Sequence, residues 1–329
     1  MAALGLHRLG RRRSTIVIGA VAAVTLVCAI VPMTAQTLTA RRLGAPVSFA
    51  RALVPQRNAG AADPRRSIRY ATVAGSGLYL DAWLPRHRDG HLWPAVVLVH
   101  GGAFVKGSRG ETPQWDQWLA DSGYAVFDVD YRLAPPARWD EAPADVGCAL
   151  VWLQANAARY GVDPSRVALG GRSAGGNLAL TAAYAATGAG GASSCGGSPP
   201  PVRSVFAFFP PVDLTSWWQA DLVLDGSRRN TEHYLGGTPS TYPDRYAAAS
   251  PLEQVRHGLP ATLLVAGGSD QYVPADQSRQ LHSSLDRAGV PNQFVAVPFA
   301  DHDYDLSWNG FATQITRHVL ADFLRRTLS

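Results

Sequence analysis

Residues 167–180 read "VALGGRSAGGNLAL". A short apolar run, predicted as a strand, ends in glycine, and a helix-like apolar pattern follows at once. Ser173 stands in the turn between them, with glycines at 171, 175 and 176 around it. Gly171-Arg172-Ser173-Ala174-Gly175 is therefore a G-x-S-x-G pentapeptide in a strand-to-helix setting, where the serine is forced onto a sharp, strained bend. The neighbouring chain must pass very close to such a bend, and side chains at 171 and 175 would clash with it. The glycines clear space so that one Oγ stands out at the carboxyl edge of a sheet. The adjacent helix N-terminus adds free N–H groups and the positive end of a dipole.

Working outward from this turn, strand and helix patterns alternate. "SIRYATV" (67–73) and "LYLDAWL" (78–84) alternate apolar and polar residues around Gly75 and Gly77 and predict a hairpin. "PAVVLVH" (94–100) is a continuous apolar run, as expected of a strand buried on both faces. Further strands are predicted at 124–131, 202–209, 261–267 and 292–298. Helices are predicted near 113–122, 142–159, 174–187, 275–288 and 309–328. About 260 residues of such alternation imply an α/β domain with one mostly parallel sheet covered on both faces. The segment 214–257 breaks the rhythm. It is long and aromatic and is expected to form a lid or pocket wall.

A serine is a poor nucleophile at neutral pH and needs a base. Of the nine histidines, His302 in "FADHDYD" follows a predicted strand directly, where sheets of this class build their sites. His282 and His318 fall inside predicted helices. An imidazole in turn needs an orienting carboxylate. Asp270 in "LLVAGGSDQYVP" follows a buried strand and fits, with Asp276 a distant second. The developing oxyanion needs donors. "HGGAF" (100–104) follows the strand at 94–99, so N–H groups of Gly101 or Gly102, with that of Ala174, are the candidates; His100 is expected to hold the loop. The acids at 301, 303 and 305 are read as solvated neighbours of a base and not as a metal site. Among the aromatic residues, Phe104 and Tyr304 lie beside these motifs and are the candidate pocket residues.

The pieces "VLVHGGAFVKGS", "DYRLAPPARWDEAPADV", "GVDPSRVALGGRSAGGNLA", "HYLGG", "YAAASPLEQV", "LPATLLVAGGSDQYVPADQS" and "VPFADHDY" occur in this order. In them residues 67–329 resemble an α/β-hydrolase of the esterase/lipase group, similar to the hormone-sensitive lipase family and to the feruloyl and acetyl-xylan esterase-like families (BD-FAE). The resemblance implies Ser173 as nucleophile, Asp270 as acid, His302 as base and oxyanion donors at 101, 102 and 174, with no cofactor. The chain order Ser, Asp, His is the one that fold uses. Two departures stand out: Ala103 replaces the third glycine of the HGGG-type loop, and Arg172 stands where an acidic residue is common.

Residues 1–66 lie outside the resemblance. They hold ten arginines against one aspartate, whereas the rest of the chain has 20 basic against 24 acidic residues. The pI of 9.3 therefore reflects the leader, and nothing points to nucleic acid. A basic flank, "HRLGRRR", precedes the uncharged stretch 14–33, so residues 1–33 read as a signal anchor or a cleaved signal peptide. Cleavage after Ala35 or Ala40 places Met33 or Leu38 at the −3 position, a poor fit to a signal peptidase. Either way the catalytic domain is expected outside the cytoplasmic membrane, single-pass if anchored, and residues 34–66 are expected to form a linker with a short helix near 47–54. Cys148 and Cys195 would then lie where a disulfide is permitted, and both pairing and two free thiols stay open.

The expectation is a serine hydrolase acting on small acyl esters through an acyl-enzyme. An amidase or peptidase on the same scaffold, or a catalytically silent binding protein, is the alternative. Sequence alone sets neither the natural substrate nor the oligomeric state.

Overall fold

The computed structural model describes residues 2–54, 64–86, 90–188, 191–220 and 226–329. The later part of the expected linker (55–63) and part of the expected lid or pocket wall (221–225) lie outside the described residues. The chain opens with helices α1 (Ala2–Arg42) and α2 (Phe49–Ala52), then strands β1 (Arg65–Val73), β2 (Ser76–Trp83) and β3 (Trp93–Val99). Next come α3 (Pro113–Asp121), β4 (Ala125–Val129), α4 (Glu141–Tyr160), β5 (Val162–Arg172), α5 (Ala174–Ala186) and β6 (Ser204–Phe208). Short helices α6 (Leu214–Ala220), α7 (Gly226–Leu235) and α8 (Pro243–Ala248) precede β7 (Ala261–Gly267), α9 (Ala275–Arg287), β8 (Asn292–Val297) and α10 (Phe311–Leu328).

The eight strands form one sheet in the order β1-β2-β4-β3-β5-β6-β7-β8. β2 runs antiparallel to both neighbours, and every later pair is parallel. β4 and β6 are buried at every residue, which explains why their sequences are almost wholly apolar, with Asp128 and Ser204 as the polar exceptions. One face of the sheet packs on α4, α5 and α9 through residues such as Leu150, Leu178, Tyr184 and Leu281. The other packs on α3 and α10 through Trp115, Leu119, Ile315 and Phe323. This is the α/β-hydrolase arrangement. The hairpin turn is Ala74-Gly75, both at positive φ, as a tight turn between right-twisted strands requires. Cys148 and Cys195 are disulfide-bonded, closing the loop between α4 and the approach to β6.

One expectation needs correction. Residues 34–42 are not linker: they continue α1 without a break. The helix ends against the domain, with Ala40 buried and the Gln36 amide donating to the Pro298 carbonyl at 2.9 Å. The Ser48 N–H donates to Gln314 Oε1 at 2.8 Å, and the Gln314 amide returns a bond to the Ser48 carbonyl. The described part of 214–257, expected as a lid or pocket wall, is firmly packed on the domain. Trp217, Tyr234 and Tyr246 are fully buried, and Asn177 Nδ2 donates to the carbonyls of Pro211 and Ala249, tying the segment to α5. Aromatic content there reports a packed wall. α1 itself is long and apolar enough to cross a bilayer, a description that a signal sequence also meets, and large hydrophobic side chains along it, from Ile18 to Met33, are exposed.

One polar cluster is buried beneath the sheet edge. Asp81 and Asp128 are cross-strand partners on β2 and β4, and Asp116 on α3 closes over them. Asp81 Oδ1 accepts from Ser67 N–H and Arg109 Nε, and Asp128 accepts from the Gly110 N–H. Neither Asp116 oxygen has a partner among the described residues. Burial, and then the neighbouring carboxylates, raise the Asp116 pKa well above its ordinary value; burial first also pushes Asp128 up to about 8. A carboxyl raised in the fold contributes stability that is complete below its unfolded pKa near 4 and is lost as the pH climbs through about 8. Asp128→Asn keeps an acceptor for Gly110 and removes the titration. Melting followed from pH 5 to 9 is expected to show the natural protein losing Tm relative to this variant as pH rises; parallel curves would refute the assignment.

Candidate active site

β5 delivers its last residue to the carboxyl edge at the centre of the sheet, and Ser173 follows with φ 51° and ψ −123°. A β-carbon in this conformation is strained. The bend is held by the Ser173 N–H donating to the Phe208 carbonyl at 2.8 Å and by the Ser173 carbonyl accepting from Asn177 N–H at 3.1 Å. The reading of the glycines holds. A Cβ at 171 would run into the Gly175 carbonyl, and one at 175 into the carbonyls of Val99 and His100.

The long-range partners meet here. His302, on the loop after β8, places Nε2 3.0 Å from Ser173 Oγ. Its Nδ1 lies 2.8 Å from Asp270 Oδ2. Asp270 follows β7 and is buried; its other oxygen accepts N–H bonds from Tyr272 at 2.8 Å and Val273 at 2.7 Å. With the carboxylate able only to accept, Nδ1 carries the proton and Nε2 is left to accept from the serine. Phe209 and Tyr272 set their rings edge-on to the imidazole, with centroids at 4.6 and 5.1 Å. Asp301 joins the two loops by accepting from the N–H groups of His302 and Gln271. Asp276 lies instead on α9, exposed and paired with Arg279, away from this line.

The loop after β3 lies against the nucleophile: a Cβ on Gly101 would stand 3.5 Å from that of Ser173. His100 organises this loop. Its Nδ1 is 2.8 Å from the Gly101 carbonyl and its ring stacks on Tyr131 at 4.3 Å, while the Tyr131 hydroxyl donates to the same carbonyl. Burial pushes the His100 imidazole down to about 4, so the ring is neutral and Nδ1–H donates. The N–H groups of Gly101 and Gly102 bond to no acceptor among the described residues, and Ala174 opens the first turn of α5, whose N–H groups have no partner within the helix. Gly101 and the first turn of α5 thus lie directly beside Ser173.

Arg172 is the feature that sequence reading undervalued. It precedes the nucleophile, yet its guanidinium is nearly buried and reaches across to the histidine loop. Nε and Nη2 grip Asp305 at 2.6 and 2.8 Å, and Nη2 reaches Asp303 at 3.0 Å. Asp305 is buried and also accepts from Trp115 Nε1 at 2.9 Å. The acids at 303 and 305, expected as solvated neighbours, are partners of this arginine. Only the proximity of a charged residue at 172 to the serine hinted at it, because the partners lie 131 and 133 residues away. The candidate pocket residue Phe104 is also corrected: it is fully buried, stacked on Tyr234 at 3.9 Å, and supports the wall from behind. Tyr304 keeps partial exposure, packs edge-on to Phe209, and bonds through its hydroxyl to Thr316 at 2.7 Å. A small cavity of about 20 Å³ lined by Arg172, Trp115, Phe206 and Phe208 has room for about one water and none for an acyl chain.

Comparison with known proteins agrees with this architecture. A BD-FAE family model matches residues 80–285. Esterase LipC of Mycobacterium tuberculosis is 30% identical over 254 residues, covering 75% of this chain and 62% of its own length. Esterase LipQ of the same organism is 28% identical, covering 74% and 58%. The chain thus spans less than two thirds of these relatives. Among solved structures, a bacterial heroin esterase superposes with a TM-score of 0.70 at 24% identity over 91% of both chains. Esterase 2 of Thermogutta terrifontis, phosphonylated by sarin, gives 0.64 at 23% over 82% of this chain and 97% of its own. At such identities these superpositions speak for the fold. The family match alone takes in most of the sheet, from β2 into α9, and by it the chain belongs to the BD-FAE family of α/β-hydrolases.

Proposed function

We propose that the protein is a serine carboxylic-ester hydrolase acting on small acyl esters. The observation that carries this is the single hydrogen-bonded line from Ser173 Oγ through His302 to buried Asp270, set beside unpaired N–H groups. In this reading Ser173 attacks the acyl carbon while His302 Nε2 takes its proton. The N–H groups of Gly101, Gly102 and Ala174 receive the oxyanion, and Asp270 holds the imidazole and stabilises its charged form. The alcohol leaves with the proton from His302, and water then releases the acid by the same path in reverse. The relatives' names, esterases among them, support this class of chemistry.

In the same reading Arg172 is a positioning residue. A bidentate arginine–carboxylate pair fixes direction as well as distance, so the residue before the nucleophile aims the loop that carries the base. The protein is also anchored by α1 with its catalytic domain outside the cytoplasm. Ala35 and Ala40 lie within a helix packed on the domain, a poor presentation for a signal peptidase, and the Cys148–Cys195 bond suits an oxidising compartment.

Three measurements test these assignments. Ser173→Ala and His302→Ala are expected to abolish fluorophosphonate labelling and to lower hydrolysis of p-nitrophenyl acetate by roughly 10⁴-fold or more, with Asp270→Asn about 10⁴-fold slower. Full activity in the serine variant, or faster cleavage of matched anilides than of esters, overturns the ester reading. Asp305→Asn is expected to lower kcat by about 10–100-fold with KM changed less than about twofold, and Asp303→Asn by less; a rise in KM alone refutes the positioning role. Full-length protein expressed from its own N-terminus is expected to stay in the membrane after alkaline extraction with residues 14–33 intact. A shortened, released protein refutes the anchor.

A further inference from the structure

The surface around the histidine loop carries more exposed apolar bulk than the rest of the domain. Outside α1, the large hydrophobic side chains exposed among the described residues are Phe49, Leu53, Val54, Leu92, Phe299 and Leu306. All but Leu92 belong to the segment just after α1 or to the loop that carries His302. The segment after α1 is joined to the chain that follows the histidine loop. Asn309 Nδ2 donates to the Val54 carbonyl at 3.0 Å, and the Phe49 ring meets Phe311 edge-on at 6.2 Å. Phe299 is 52% exposed and held at φ 56°. An exposed phenylalanine in the left-handed region costs strain and surface at once.

The apolar helix ends at this place. Met33 closes the apolar stretch, and Gln36, whose amide bonds the Pro298 carbonyl, is three residues further on the same helix. At about 1.5 Å of rise per residue that is about 4.5 Å, less than one turn. Phe299 follows Pro298 directly, and His302 lies three residues beyond it, at most about 11 Å away along an extended chain. The polar zone of a bilayer leaflet is itself about 5–8 Å deep. The exposed Arg41, Arg42 and Arg51 follow the apolar stretch, as charges suited to lipid phosphates.

Resting on the ester-hydrolase and anchor readings, we propose that the surface bearing Phe299 and Leu306 lies in the outer leaflet that α1 crosses, and that the enzyme takes amphiphilic esters directly from that lipid phase. The substrate class is an ester of a small acyl group with an alcohol whose chain dissolves in the membrane, its carbonyl resting near the headgroups. The scissile carbonyl then needs to travel about one nanometre, without passing through water. The bilayer is the occupant favoured here, because this apolar surface is continuous with a helix that already meets the lipid.

The test uses full-length protein in vesicles of phosphatidylcholine and phosphatidylglycerol. On a Cys28→Ser background, Phe299→Cys carrying an environment-sensitive nitrobenzoxadiazole label is compared with the same label at Leu92→Cys. The label at 299 is expected to shift to the blue and be quenched by headgroup-region spin-labelled lipid, and the label at 92 to behave as in water. Equal behaviour of the two overturns the membrane placement. A shift at 299 that depends on protein density and resists lipid quenchers assigns the surface to a second copy, and also overturns it. Phe299→Asn with Leu306→Gln, the asparagine being tolerant of positive φ, is expected to lose about five- to tenfold in kcat/KM on a vesicle-dissolved long-chain ester while staying within about twofold on p-nitrophenyl acetate. Equal loss on both, or on neither, refutes the substrate class. Absence of Ser173-dependent acetate hydrolysis is a separate result and brings down the ester reading, whatever the label reports.

Discussion

The contact on which the site rests is between two backbones. The first turn of α5 passes so close to the end of β3 that residue 175 has no room for a Cβ beside the carbonyls of Val99 and His100. That approach brings the serine turn and the Gly101–Gly102 loop together. The bend at Ser173 follows from it. A residue at φ 51° persists only where its surroundings leave it no relaxed alternative, and here the bond from Ser173 N–H to Phe208 on one side and the α5 turn on the other leave none.

The remaining parts arrive along the parallel order of the sheet. β7 and β8 lie beyond β6 on the same side of β5, so their carboxyl-end loops fall next to one another and within reach of the turn. Asp270 is fixed by two N–H groups of its own loop, and His302 by Asp301 and Arg172's grip on the residues just after it. Each element is therefore held twice, once by the sheet and once by a polar bond between loops. Proton transfer benefits from this redundancy, because a base that is displaced by an ångström loses much of its effect.

How much of this was legible in the chain depends on the range of the signal. The strand and helix pattern is local, and apolar runs such as "PAVVLVH" and "ATLLVAG" declare buried parallel strands without help from anything distant. Ser173, Asp270 and His302 were legible because each follows such a strand. Arg172 with Asp305 was not, since a charge pair across more than 130 residues leaves no periodic trace. Phe104 misled for a related reason: its neighbours Gly101 and Gly102 border the serine, but its own φ of 67° turns the ring inward onto Tyr234. Residues 34–42 misled because an Ala- and Arg-rich composition fits a solvated linker as well as a helix. What makes them helix here is the face of Gln36 and Ala40 that packs on the domain.

That docked face changes the meaning of the N-terminal segment. A flexible tether would leave the domain free to tumble above a membrane and would make the direction of its site arbitrary. A helix that runs unbroken from its apolar stretch to a hydrogen bond at Pro298 fixes that direction, because β8 and the loop after it cannot rotate independently of the helix axis. The same loop supplies the base. The Pro298 carbonyl that receives the helix and the His302 imidazole beside Ser173 are four residues apart, so the docking of α1 and the geometry at the serine are set by one piece of backbone.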